Sequence, residues 1–198
     1  QCTFQMLRQQ NHKRLTRNLS LADFISTDDK ADWLGGFCVT AGQGIDERAQ
    51  QFVEQHDDYS AIMLKALADR IAEAYAECLH QEVRTKYWGY STEELSNEDL
   101  IKERYQGIRP APGYPACPDH SQKQTLFDWL QVPDEIGVTL TESMAMFPAS
   151  SVSGWYFAHP QSKYFGVGKI SKEQVVDYAD RRQWSIEQSM AWLAVSLV

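Results

Sequence analysis

The stretch DDYSAIMLKALADRIAEAYAECLH, residues 57–80, sets the architecture. Met63, Leu67, Ile71, Tyr75, Cys78 and Leu79 recur at helical spacing. Asp57 or Asp58 suits an N-cap, and acids near a helix start suit its dipole. Gly89 stands just past the expected end. The pattern predicts one long central helix within His56–Tyr90. Upstream, Gly42 and Gly44 break the chain before a shorter amphipathic helix, IDERAQQFVEQ (45–55). Downstream, Ser96 and Asp99 in SNEDLIKERYQ (96–106) resemble a capping box. SQKQTLFDWLQV (121–132) reads as another short helix.

Then the period changes. VTLTESMAMFP (138–148), SGWYFAHP (153–160) and KYFGVGKIS (163–171) read as three largely antiparallel strands, separated by Pro148, Pro160 and Ser162. SKEQVVDYADRR (171–182) opens with a capping pattern at Ser171, and WSIEQSMAWLAV (184–195) follows as a last helix. Helices first and strands later give an α+β class rather than a doubly wound sheet.

A chain of 198 residues suits one domain. Residues 1–18 have few apolar positions and no clean period. They read as a tether or a truncated edge, with the domain proper at 19–198. Nineteen basic against 27 acidic residues, a net charge of −8, argue against nucleic-acid binding, which needs clustered cations. The basic run KRLTR (13–17) is the local exception, read as a solvated tether. Cys2, Cys38, Cys78 and Cys117 form no CxxC pair. They suit reduced thiols in a cytoplasmic protein, not a zinc site or a disulfide framework. No signal peptide or apolar run of membrane length occurs in the sequence.

Most chemical motifs fail on spacing. Glu77 and His80 have the Glu-x-x-His spacing of di-metal bundles, but only one copy exists, so a solvated helix face is the better reading. Neither a Gly-x-Ser-x-Gly elbow nor a phosphate-binding glycine loop is present in the sequence. What stands out is RPAPGYPACPDH (109–120), which holds four of the seven prolines. Each Pro fixes its own φ and extends the residue before it. A stiff segment loses little entropy on binding. Gly113 permits close backbone approach, Arg109 offers a planar fork for a carboxylate, and Tyr114 an aromatic face for a cation. From these residues alone, a ligand cradle and a rigid crossover loop are equally good readings.

Five segments taken together carry a resemblance. They are LADF (21–24), DDYSAIMLKALADRIAEAYAE (57–77), YQGIRPAPGYPACPDH (105–120), LTESMAMFPASSVSGWYF (140–157) and SKYFGVGKI (162–170). From about residue 19 to about residue 182 the chain resembles the C-terminal reactivation domain of cobalamin-dependent methionine synthase. The resemblance implies a C-shaped α+β domain with a bent antiparallel sheet, binding S-adenosylmethionine (SAM) in a shallow groove. It implies a repair role: one electron from a flavodoxin or flavoprotein and a methyl from SAM restore methylcobalamin from inactive cob(II)alamin. The cobalamin is expected in a neighbouring domain, which is then a partner, and zinc only in domains outside this chain.

Residue by residue, Arg109 matches the arginine holding the methionyl end of SAM, and Asp23 the aspartate on that same end. Tyr164 and Phe165 match the pair beside the adenosine, where many relatives have two tyrosines and Phe165 cannot donate a hydrogen bond. Gly113 and Tyr114 are expected to give backbone and ring contacts, and Glu73 and Glu103 to match acids near the sulfonium. The family's domain carries more chain before LADF, so part of its edge is expected to be missing or supplied by another chain. The isolated chain is expected to bind SAM without turnover, as part of a methyltransferase. Two alternatives are a docking module presenting Lys163, Lys169 and Lys172, and a free-standing reactivation subunit for another corrinoid protein.

Overall fold

The computed structural model describes residues 2–10, 17–27 and 31–197. In chain order the elements are a 3-10 turn (Leu21–Phe24), β1 (Gly35–Thr40), α1 (Ile45–Glu54) and α2 (Asp58–Glu82). A π-helical turn (Val83–Tyr87) and α3 (Asn97–Ile101) follow, then α4 (Gln122–Leu130) and α5 (Val132–Ile136). The last part holds β2 (Thr139–Leu140), β3 (Met146–Phe147), β4 (Ser151–Tyr156), α6 (Lys172–Arg182), α7 (Ile186–Leu193) and a closing turn (Ala194–Ser196). This is the mixed helical and antiparallel class expected. The chain folds as two compact units, each with its own packing.

The first unit comprises Gln1–Gly35, Gln106–Leu126 and Gly154–Val198. Leu7, Val167, Ile170, Val175, Tyr178 and Leu193 form its core, with Phe165, Trp184 and Leu197 packed against them. Phe4 meets buried Trp155 edge-on at 5.1 Å. So the part of residues 1–18 that is described contributes Phe4 and Leu7 to packing, although it forms no helix. It also pairs as a lone antiparallel bridge, Arg8 with Ser20. Of KRLTR, residues 13–16 lie outside the described residues. α6 and α7 start on Ser171 and Ser185, whose hydroxyls accept from the N–H groups of Gln174 and Gln188.

The second unit comprises Gly36–Tyr105 and Phe127–Ser153. α1 packs on α2, and Lys65 bridges to Asp46 at 2.8 Å. Phe127, Val132 and Val138 form an apolar cluster under Cys38, Leu140 and Met146. Cys38 lies in that apolar packing, and burial pushes its thiol up to about 12. β2 and β3 pair antiparallel, Thr139 opposite Phe147 and Leu140 opposite Met146. The expected strand over 138–148 is therefore a hairpin folded on itself.

One strand was not anticipated, and one further expectation is corrected. GGFCVT forms β1, paired with β4, although its leading glycines hide any apolar alternation. KYFGVGKIS forms no strand. Its N–H groups find scattered acceptors instead, Val167 on the Pro115 carbonyl at 2.8 Å and Ile170 on that of Ser196 at 2.8 Å. Gly168 takes φ +79°, which breaks an extended run.

The long helix stands where the spacing places it, and the Asp57 carboxylate caps it by accepting from the Ser60 N–H at 3.0 Å. Its buried face differs from the periodic one. Ala61, Ala68, Ala72 and Ala76 are buried, while Met63, Leu67, Ile71 and Tyr75 are exposed.

Candidate functional site

The proline-rich segment lies in the first unit and is held by its backbone. Ile108 exchanges both hydrogen bonds with Phe157, each 3.0 Å, and the Pro110 carbonyl accepts from Trp155 N–H at 2.9 Å. Proline lacks an N–H, so Pro110 takes a place beside β4 where only an acceptor is required. Beyond it the chain reverses tightly. Gly113 N–H donates to the Cys117 carbonyl at 2.7 Å, and Cys117 N–H to the Tyr114 carbonyl at 2.8 Å.

Gly113 has φ +87°, and a Cβ there would lie 2.2 Å from the His120 ring. The imidazole therefore lies against the bare Cα. Lys123 Nζ stands 3.1 Å from His120 Nδ1. Desolvation first, and then the nearby Lys123 charge, hold the His120 pKa below its ordinary value, against the opposing pull of Asp119.

The segment ends on a buried polar network. Tyr178 donates to the Asp119 carboxylate at 2.5 Å, and the Ser121 hydroxyl and N–H donate to it at 2.8 Å each. Gln122 Nε2 donates to the Tyr178 hydroxyl at 2.9 Å, and Arg182 to the Ser121 hydroxyl at 2.9 Å. Burial, with the Asp119 charge beside it, raises the Tyr178 pKa, so it stays a donor. The Cys117 thiol is raised mainly by its own burial and is no nucleophile.

Arg109 N–H donates to the Tyr164 hydroxyl at 3.1 Å. The two segments named from sequence, RPAPGYP and SKYF, thus meet directly. The bond from Val167 N–H to the Pro115 carbonyl ties them a second time. Tyr114 and Tyr164 are both exposed, and Arg109 is half-buried. Phe165 is half-buried and meets Phe24 edge-on at 6.3 Å. That contact joins the LADF turn to the same cluster.

Asp23 sits in that turn with both carboxylate oxygens engaged. Arg8 donates to them at 2.5 and 2.6 Å, and the Ser20 N–H at 2.9 Å. The Arg8 guanidinium, with the Ser20 N–H, holds this carboxyl below the usual range. Gln9 Nε2 likewise donates to the Gly166 carbonyl at 2.7 Å. Arg8, Gln9, His120 and the Asp119 network were not singled out from the sequence. The DH ending of the motif was the one visible signal.

Glu73 and Glu103 belong to the second unit. Glu73 is exposed on α2. Glu103 follows the end of α3 with φ +50°, a conformation that suits glycine. Nearby, the buried Arg84 guanidinium lies 3.6 Å from the Tyr105 ring centroid, and the Tyr105 hydroxyl donates to Glu77 at 3.1 Å. Glu77 is thus a structural partner. Among the described residues no cluster of metal-ligating side chains occurs, and no helix is long and apolar enough to cross a membrane.

The family model for the vitamin B12 dependent methionine synthase activation domain matches residues 1–183. A crystal structure of the MetH reactivation domain bound to AdoHcy is 55% identical, with a TM-score of 0.95. The match covers 97% of this chain and 60% of that one.

Proposed function

Because the chain belongs to the vitamin B12 dependent methionine synthase activation family, we propose that it binds SAM for cobalamin reactivation. The observation that carries this reading is the Arg109 N–H to Tyr164 hydroxyl bond. It brings the Arg109 backbone and an exposed phenol together beside a glycine turn. SAM presents a carboxylate, an ammonium, a sulfonium and an adenine. The Arg109 fork suits the carboxylate, and the rings of Tyr164 and Tyr114 suit the adenine and the sulfonium. Phe165 backs Tyr164 through its packing on Phe24 rather than by hydrogen bonding.

Glu73 and Glu103 are assigned to the cation by Coulomb attraction. A glutamate at φ +50° costs on the order of 1 kcal/mol where glycine would not. That cost favours a use for the Glu103 carboxylate. Asp23 is proposed for the ammonium, which must then join or displace Arg8. The two-pronged Arg8 pair favours a second reading for this residue alone, a fastener of the N-terminal segment.

Cobalamin, when its own domain presents it, supplies the cobalt that accepts the methyl. This chain contributes ligand placement, which is worth much of a bimolecular barrier. The whole enzyme's methyl transfer to homocysteine, and a flavodoxin-type electron donor, belong to the same proposal.

Calorimetric titration of the 198-residue chain with SAM tests it. One-to-one saturable binding is expected. Arg109→Ala should weaken it about 10- to 100-fold, the worth of a charge-assisted hydrogen-bond pair, with the melting temperature nearly unchanged. Undiminished affinity in that variant would exclude Arg109 from the site.

A further inference from the structure

Tyr114 leaves the Gly113–Cys117 turn 62% exposed, so its place is set chiefly by the backbone that carries it. Beside that backbone lies an imidazole. At Gly113, with φ +87°, an added Cβ would fall 2.2 Å from His120 Cε1 and Nδ1 and 2.7 Å from Nε2. Carbon contacts are comfortable only from about 3.5 Å, so turn and ring fit together because Gly113 is bare.

His120 is itself exposed, yet its orientation is fixed from several sides. Its neighbours Asp119, Ser121 and Gln122 are buried and bonded into the Tyr178 network. Its carbonyl accepts from Lys123 N–H at 3.1 Å, and its Nδ1 lies 3.1 Å from Nζ of the same lysine, which is only 8% exposed. An ammonium has donors and no lone pair, so Nδ1 accepts and the ring proton sits on Nε2. A second proton, on Nδ1, would aim an N–H at the ammonium. Asp119 does not relieve this. Its carboxylate already accepts from the Tyr178 hydroxyl and from the Ser121 N–H and hydroxyl, and Arg182 donates to that serine hydroxyl. From the turn side the ring meets Gly113, which brings no charge. Burial and Lys123 accordingly favour the neutral imidazole against the pull of Asp119.

We propose, resting on the SAM-binding reading of Gly113 and Tyr114, that His120 is a positioning residue: its neutral ring, seated by Lys123, backs Gly113 and keeps Tyr114 in place for the ligand. Protonated, the ring is pushed off Lys123 and the turn loses its backing. The ring touches the turn rather than the ligand, so its contribution is preorganisation.

Calorimetric titration with SAM and with S-adenosylhomocysteine, from about pH 7 down to about pH 5, covers the range in which histidine titrates. The bound chain excludes the second His120 proton, and the free folded chain takes it up only below its lowered pKa. Affinity for both ligands should therefore be level near about pH 7 and fall as pH drops below the ordinary histidine value of about 6.5. His120→Gln cannot titrate, and in Lys123→Met an imidazolium meets no ammonium, so both profiles should be flat. His120→Ala should bind about 3- to 10-fold more weakly at neutral pH, the worth of a single hydrogen bond. A flat wild-type profile overturns the proposal, as does a slope kept in His120→Gln. A slope for SAM without one for S-adenosylhomocysteine assigns the effect to the sulfonium charge, and overturns it too. A wild-type chain that binds neither ligand at any pH removes the SAM-binding reading itself, a result distinct from binding that ignores pH.

Discussion

The proline-rich segment and α2 answer opposite questions. In RPAPGYPACPDH there is no period, yet its backbone is tied to named partners at Arg109, Pro110, Gly113, Tyr114, Pro115 and Cys117. In α2 the period is clear, yet it misreads which side is buried. Irregular backbone must be satisfied group by group, so its residues are tied to position. A helix satisfies its own backbone, so its faces are left to whatever packs on them. The first region is pinned at particular backbone groups; the second is left to whatever packs on its faces.

The sharpest way to break this contrast is Gly113→Ala. Positive φ and a Cβ 2.2 Å from the His120 ring should together cost about 3 kcal/mol of stability. A urea unfolding midpoint unchanged from wild type would mean that the turn is not pinned at Gly113. On α2 the paired variants Ala72→Leu and Ile71→Ala should behave opposite to their hydrophobicity. Ala72→Leu overpacks a buried position and should cost about 1–3 kcal/mol. Ile71→Ala removes an exposed side chain and should stay within about 0.5 kcal/mol. Thermal melts of the two, ranked the other way, would restore the periodic face as the buried one.

Glu103→Gly should stabilise the chain by on the order of 1 kcal/mol, relieving a left-handed residue, while lowering SAM affinity. Stabilisation with full affinity would remove Glu103 from the ligand. The smallest effect is a pH dependence. The folded state holds the His120 pKa down, so the unfolded chain takes up that proton first. Stability should therefore fall as pH drops through the ordinary histidine range near about 6.5, and level off below the lowered folded value. Melts across this range should be flatter for His120→Gln.

Much of this molecule was legible in its residues. The helix starts at Asp57, Ser96 and Ser171 are visible as polar caps, because a cap is a short-range hydrogen bond. Arg109 and Tyr164 were named from motifs, and the fold joins them. The strands were less legible. β2 and β3 are two residues each, too short to show a period, and β1 begins with two glycines. The Arg8 contact to Asp23 spans 15 residues and that of Tyr178 to Asp119 spans 59.

By itself, then, the sequence determined where helices begin, where the chain stiffens, and which family it joins. These rest on neighbours within a few positions, or on a motif read letter by letter. Only the tertiary structure decided which face of α2 is buried, that KYFGVGKIS pairs singly rather than as a strand, and that Asp23 carries a guanidinium. Burial and long-range pairing depend on what the rest of the chain brings alongside, and no local pattern contains that.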